Sequence, residues 1–571
     1  MVKPNALASA RSHWPFLVII SISAALLLTN LGAGYLWADE GDTAVLASNI
    51  VRFGLPKAWD GTTFMDSDFG ARVNGQMIMV TSPWLQYYVT AAFFRQFGES
   101  TFAARLPFAL AGLLTIGEVY FFALRATANR QAALLASILT MCSVQFLLFC
   151  RQSRYYAFAM LLTCLLIDIF LRMKSPKCAV LFSIVAVLLF HTHPIGLVPV
   201  FALGALALIH PTFSAQRRWF GITIGPILIL TAPWFLIART GYTENAELVS
   251  SVRDFIIRLA QYGIECASVA PLIGIGILCL VGFAARSRIG RELQDSERRL
   301  LISIFSVVIG YALAMTITQR PAALWVTGIR YTSAIIPLFA IAAAVLIMSF
   351  GRIRRFILLP LVLIFTLTKL ALITPWICWT DKNPDPENKI VAFHVPTKTL
   401  AAFFPIEDFL YVKDLWRPNI GTVGHCIELL RQYAQPGDLV ITNYESEPLY
   451  FHTRLPQGMK IMEEDAIYHA ARRYGLPEYV FGVDHVHWIV WRFNWDDYLG
   501  IRWVDLEHYL LTRGAKIDDR TNIEETGWEN RENIHFHRFS ADTYLFTQET
   551  NLAPAHIFRV DWPVQSQAKV R

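Results

Sequence analysis

The strongest constraint on this chain is a succession of apolar runs, each of about 20 residues, the length an α-helix needs to cross the hydrocarbon core of a bilayer. They begin near Trp14, Arg105, Gln131, Tyr155, Cys178, Ile195, Trp219, Ser268, Leu300, Tyr331 and Phe356. Of 571 residues, 54% are hydrophobic and 16% charged, against about 25% charged in soluble domains. The expected fold class is a polytopic α-helical membrane protein of about eleven spans. The net charge of +6 is dispersed among short loops and implies no nucleic-acid partner.

Basic clusters set the orientation. Arg125/Arg130, Arg172/Lys174/Lys177, Arg217/Arg218, Arg286/Arg288/Arg291/Arg298/Arg299 and Arg352/Arg354/Arg355 each follow an even-numbered span. The positive-inside rule puts them, with Lys3, Arg11 and the amino terminus, in the cytoplasm. That parity requires the aromatic stretch Pro83 to Phe97 to be an amphipathic helix on the outer face, not a span. The outward segments are then 38–104, 151–154, 191–194, 240–267, 318–330 and everything after about Pro375.

From Pro375 the composition becomes that of a soluble domain. The expected organisation is a transmembrane domain over 1–375, with a first extracytoplasmic loop at 38–104, and an extracytoplasmic α/β domain over 376–571. Asp381 to Glu387 reads as a linker, Ile427–Tyr433 as a helix, Leu439–Thr442 and Val486–Trp491 as strands, and Asn533–Phe539 and His556–Val560 as further strand candidates. A pairing of Cys378 with Cys426 stays open.

Polar clusters gather on the outward side. Asp39, Glu40 and Asp42 directly follow the first run; alone, they read as a solvated loop end sooner than as a catalytic site. Arg151, Arg154 and Tyr155 stand where span three turns into span four, and two guanidiniums on the side poor in positive charge suit an anionic ligand such as phosphate. His191 and His193 end span five as structural residues or substrate contacts; their i, i+2 spacing separates them on a helix and implies no metal. Arg330 and Tyr331 begin span ten. Glu118 and Asp168 lie within spans away from this side, Asp168 one turn before Arg172.

The order of these pieces carries a resemblance. An Asp39-Glu40 pair follows span one; Phe97-Gly98-Glu99-Ser100-Thr101-Phe102-Ala103-Ala104-Arg105-Leu106-Pro107 leads into span two; Gln152-Ser153-Arg154-Tyr155-Tyr156-Ala157 opens span four. His191-Thr192-His193 with Gly196-Leu197, and Arg330-Tyr331 with Pro337, complete it. Over roughly residues 14 to 350 the chain resembles the GT-C glycosyltransferases of the protein mannosyltransferase and aminoarabinose transferase type, glycosyltransferase family 39-like.

The resemblance implies an inverting glycosyltransferase. It would take a sugar from a polyprenyl-phosphate donor on the outer face of the cytoplasmic membrane and pass it to a glycan, lipid or protein acceptor, with Asp39 as catalytic base and Glu40 beside it. Donor phosphate and substrate would meet Arg151, Arg154, Tyr155, His191, His193, Arg330 and Tyr331, with membrane lipids around the donor's tail; no cofactor is expected and no metal-ligand set is assigned, and whether a divalent metal assists stays open. The family's aminoarabinose transferases carry Lys-Pro-Pro before the outer interfacial helix; here the stretch is Thr81-Ser82-Pro83-Trp84, which counts against a lipid A acceptor. The absence of any Asn-x-Ser/Thr acceptor favours a bacterial inner membrane, with site and C-terminal domain in the periplasm. A periplasmic polysaccharide polymerase or ligase, and then a lipid-linked sugar transporter, are the alternatives.

Overall fold

Apolar runs this long cannot be satisfied as isolated helices in water, and in the computed structural model they pack against one another. It describes residues 6–65, 72–238, 248–269, 293–318, 329–349, 359–360, 364, 367, 407–416, 420–443, 446–458, 461–462, 464–493, 496, 501–524 and 553–563. The expected spans starting near Ser268 and Phe356, most of the clusters at Arg286–Arg299 and Arg352–Arg355, the linker, Cys378 and the strand candidate Asn533–Phe539 lie outside these residues.

The chain begins with α1 (Ala6–Leu28), α2 (Ala38–Phe53), α3 (Leu85–Phe97) and α4 (Thr101–Thr127). Then come α5 (Arg130–Met141), α6 (Val144–Cys150), α7 (Tyr156–Leu171), α8 (Pro176–Thr192), α9 (Val198–Ile209) and α10 (Ser214–Ile237). Next are α11 (Val252–Val269), α12 (Asp295–Thr318), α13 (Ile329–Thr332) and α14 (Ile335–Ser349). The central helix is α4, which packs on α1, α3, α5 and α7, while α14 packs on α5.

Among the described residues, three helical stretches are long and apolar enough to cross a bilayer alone: Thr101–Thr127, Pro211–Ile237 and Asp295–Thr318. A fourth is the pair α5 and α6, bent by 67°. Neither Pro nor Gly makes that break. Ser143 does, by accepting a hydrogen bond from Phe146 N and so capping a new helix. Other expected spans form shorter apolar helices, including Tyr156–Leu171 and Pro176–Thr192. The expected outer-face helix is one 13-residue helix, α3, too short to span.

The two ends of the bundle carry different chemistry. At one end Arg125 pairs with Glu118 and Asp168 at 2.9 Å each, and Arg172 also pairs with Asp168. The expected i,i+4 pair is thus part of a four-residue network, joined nearby by Arg299 over the Phe213 ring and Gln216 on the carbonyl of Leu171. At the other end stand Asp39, Arg105, Arg154, His193 and Arg330.

After α14 come α15 (Glu407–Trp416), α16 (Gly421–Tyr433), α17 (Ser446–Thr453), α18 (Glu464–Tyr474) and α19 (Trp503–Thr512). With them runs a four-stranded sheet in the order β1 (Val440–Thr442), β2 (Trp488–Arg492), β4 (Ala555–Asp561), β3 (Lys516–Ile523). β1 and β2 are parallel; the other pairs are antiparallel. Alternation along the strands sends Val440, Trp488, Val490 and Ile557 to a core with Ile427 and Leu430 of α16. Ile441, Ile489, Trp491 and Phe558 face Leu506 and Leu510 of α19 on the other side.

Candidate active site

The site is built around the start of α2. Asp39 and Glu40 occupy its first turn, where unpaired backbone N–H groups and the helix dipole favour negative charge. Their side chains diverge. Glu40 is wholly buried: Arg105 Nε donates to Oε1 at 3.0 Å, Arg105 Nη2 to Oε2 at 2.9 Å, and the backbone N–H of Ser153 to Oε1 at 2.7 Å. Arg105 also donates to the carbonyls of Leu31, Ala33 and Tyr35. Glu40 is thus fully engaged in fixing the 31–40 segment against α4 and the turn after α6.

Asp39 remains 29% exposed at its side chain, open enough for a reactant to reach it. Arg154 Nη2 and Arg330 Nη1 each lie 3.4 Å from its Oδ2. Arg154 also donates to the Asp39 carbonyl, and Arg330 Nη2 donates to the Tyr331 hydroxyl at 3.0 Å. Three segments far apart in sequence thus converge on one carboxylate. Two guanidiniums flank it, each a planar fork suited to a phosphate oxygen pair.

Aromatic rings wall the group. His193 stacks on Tyr155 with ring centroids 4.8 Å apart, and Tyr331 lies 5.5 Å from His193. His193, in the turn between α8 and α9, is fixed by accepting a hydrogen bond from Ile195 N. Burial, then the charges of Arg154 and Arg330, lower its pKa to about 3, so the imidazole is neutral.

Two expected site residues are not brought here. Arg151 turns its guanidinium to the carbonyls of Leu27, Thr29 and Asn30, at 2.8, 2.9 and 3.3 Å, and so caps the end of α1. Residues 151–155 form a tight turn outside helix α6, which points Arg151 and Arg154 in opposite directions although only three positions separate them. His191 faces α10, its Nε2 3.4 Å from the carbonyl of Leu230.

Other residues join the site unannounced. Asp42 pairs with Arg72 at 3.1 Å and stands 3.9 Å from Arg154. From α3, the buried Gln86 accepts a hydrogen bond from Tyr155 N at 3.0 Å, and Tyr87 lies beside Asp42, where burial and that carboxylate raise its pKa. α3 is therefore a wall of the site as well as a peripheral helix. Arg105 carried the signal that singled out Arg330, a guanidinium on the positive-poor side of an apolar run. Gln86 and Arg72 carried none. Among the described residues no group of His, Cys, Asp and Glu is placed to hold a metal ion.

No family model matches this sequence, and no curated protein does. Solved structures do. ArnT from Cupriavidus metallidurans bound to undecaprenyl phosphate aligns over 84% of this chain and 93% of its own, with TM-score 0.54 and 16% identity. Its apo structure aligns over 85% and 93%, again at TM-score 0.54 and 16% identity. The archaeal oligosaccharyltransferase AglB from Archaeoglobus fulgidus, in complex with an inhibitory peptide and a dolichol-phosphate, is similar more distantly, at TM-score 0.44 and 12% identity over 91% of this chain and 74% of that one. The fold is that of ArnT, an aminoarabinose transferase with the GT-C fold.

Proposed function

We propose that this chain is an inverting glycosyltransferase that moves a sugar from a polyprenyl-phosphate donor to a hydroxyl acceptor on a glycan, lipid or protein. The observation that carries the reading is Asp39 held between Arg154 and Arg330, partly open at the end of an apolar helical bundle. The fold shared with an undecaprenyl-phosphate-bound ArnT supports the same class of donor.

In this reading Asp39 is the base. As an acceptor oxygen bonds to the anomeric carbon, its proton passes to the Asp39 carboxylate. The bond from that carbon to the phosphate oxygen breaks on the opposite face, and the polyprenyl phosphate leaves with the electron pair. The charge it gains is met by Arg154 and Arg330, already in place. The phosphate is a stable leaving group and needs no protein acid. Tyr155, His193 and Tyr331 offer flat, uncharged surface for the sugar, and Glu40 with Arg105 holds the helix start.

The proposed setting is the bacterial inner membrane with about eleven spans, the amino terminus cytoplasmic, and residues 376–571 forming a periplasmic α/β domain. The purified protein in proteoliposomes, offered one labelled sugar as a polyprenyl-phosphate and as a nucleotide adduct, tests the donor class. Transfer from the lipid donor alone is expected; transfer from the nucleotide alone contradicts the reading.

A further inference from the structure

The segment that delivers Asp39 to the site is gripped from the far end of the sequence. Trp37, the N-cap of α2, carries an indole and makes no capping hydrogen bond, so tertiary contacts set the direction in which α2 starts. On one side Arg105 Nη2 donates to the carbonyl of Tyr35 at 2.9 Å. On the other, Leu36 N donates to His452 Nε2 of α17 at 3.1 Å. A second grip comes two residues after Asp39, where α17 packs against α2. A Cβ on Gly41 would lie 2.5 Å from Pro448 N and 2.8 Å from the carbonyl carbon of Glu447, so only glycine fits there.

α17 is itself held on several sides. Its Tyr450 and Phe451 lie in one buried apolar core with Leu36, Val45 and Tyr87, and Phe451 stacks on Phe94 of α3 with ring centroids 5.8 Å apart. Arg431 of α16 donates to the His452 carbonyl at 3.1 and 2.7 Å. Arg454 pairs with Glu99, and Tyr450 donates to Asp60. His452 therefore presents its ring to Leu36 from a fixed backbone, with the Tyr35 ring edge-on to it at 4.9 Å.

We propose that His452 is a positioning residue for the transfer reaction, accepting the Leu36 N–H so that α17 holds the start of α2, and with it Asp39, between Arg154 and Arg330. This rests on the glycosyltransferase reading above. A ring nitrogen that accepts carries no proton, so the imidazole is neutral with its hydrogen on Nδ1. Burial, then the charges of Arg431, Arg105 and Arg454, lower its pKa to about 3, which keeps the Nε2 lone pair open to Leu36. Asp39 lies three residues beyond Leu36 in the same corner. A shift there of about 1 Å is the scale at which a misplaced group costs about a hundredfold in rate.

The test is single-turnover transfer from a polyprenyl-phosphate-linked sugar by the full chain in proteoliposomes. Wild type, H452F, H452Q and G41A are compared at matched abundance, each also in a D39N background. H452F keeps a ring and loses the acceptor; its rate should fall about tenfold to a hundredfold with donor affinity unchanged. H452Q, whose Oε1 can accept in place of Nε2, should recover most of the rate. G41A, whose Cβ drives Pro448 off α2, should fall as H452F does. With Asp39 replaced there is no base to place, so in that background H452F and G41A should each cost less than about twofold. Equal losses with and without Asp39, a wild-type rate for H452F, or no recovery in H452Q would mean that His452 only packs, and overturn the inference. Failure of both H452F and G41A to accumulate in the membrane overturns it as well. Absence of transfer by the wild-type protein overturns the functional reading and this inference with it.

Discussion

Both carboxylate oxygens of Glu40 face the guanidinium of Arg105, at 3.0 and 2.9 Å, and neither side chain is exposed. Glu40 stands next to Asp39 in sequence, yet its geometry is that of a strut. Removing one member leaves the other charge fully buried without it, which costs about 3–5 kcal/mol. E40Q should therefore lower the melting temperature and membrane abundance of the detergent-purified protein, while the folded fraction keeps a kcat within a few-fold of wild type. A loss of kcat by two or more orders of magnitude with unchanged melting would make Glu40 a chemical participant.

Arg154 and Arg330 each offer a fork, and lysine keeps the charge while losing the second hydrogen bond. R154K and R330K are each expected to cost about 1–3 kcal/mol in kcat/KM for the lipid donor, roughly tenfold to a hundredfold. R151K, altering a cap on α1, should act on stability instead. Steady-state kinetics beside thermal unfolding of the three variants separates these roles; a donor defect confined to R151K would reverse the assignment.

His193 is neutral in the folded protein because burial and two guanidiniums hold its pKa near 3, below the ordinary 6.5. The sign follows from linkage: between pH 3 and 6.5 the unfolded chain binds a proton that the folded one does not, so this contribution is full above 6.5 and declines as pH falls. H193F keeps a ring against Tyr155 and removes the proton. Its melting temperature should fall less steeply than that of wild type between pH 6.5 and 4. Parallel slopes would show that His193 is charged or unburied.

Much of the fold was legible because bilayer thickness acts locally on sequence. The apolar runs, the alternation of basic loops and the shortness of Pro83–Phe97 each report on their own stretch of chain. Asp39, Arg154 and Arg330 were legible for a related reason, since charge at the positive-poor end of an apolar run needs an explanation. Orientation was not legible: nothing local distinguishes Arg151, turned to the α1 carbonyls, from Arg154, turned to Asp39. The close approach of Glu447 and Pro448 to Gly41 was invisible because it joins positions some 400 apart in the chain. β3 was missed since its sequence, Lys516 to Ile523, is mostly polar and exposed, as suits an edge strand.

The central claim is that Asp39 takes the acceptor's proton while Arg154 and Arg330 hold the donor phosphate. Single-turnover transfer of labelled sugar from a polyprenyl-phosphate donor, measured for D39N against wild type at equal membrane abundance, tests it most directly. Loss of a general base slows the chemical step by about 10²–10⁴-fold, with donor binding retained. Transfer by D39N at the wild-type rate would contradict the account.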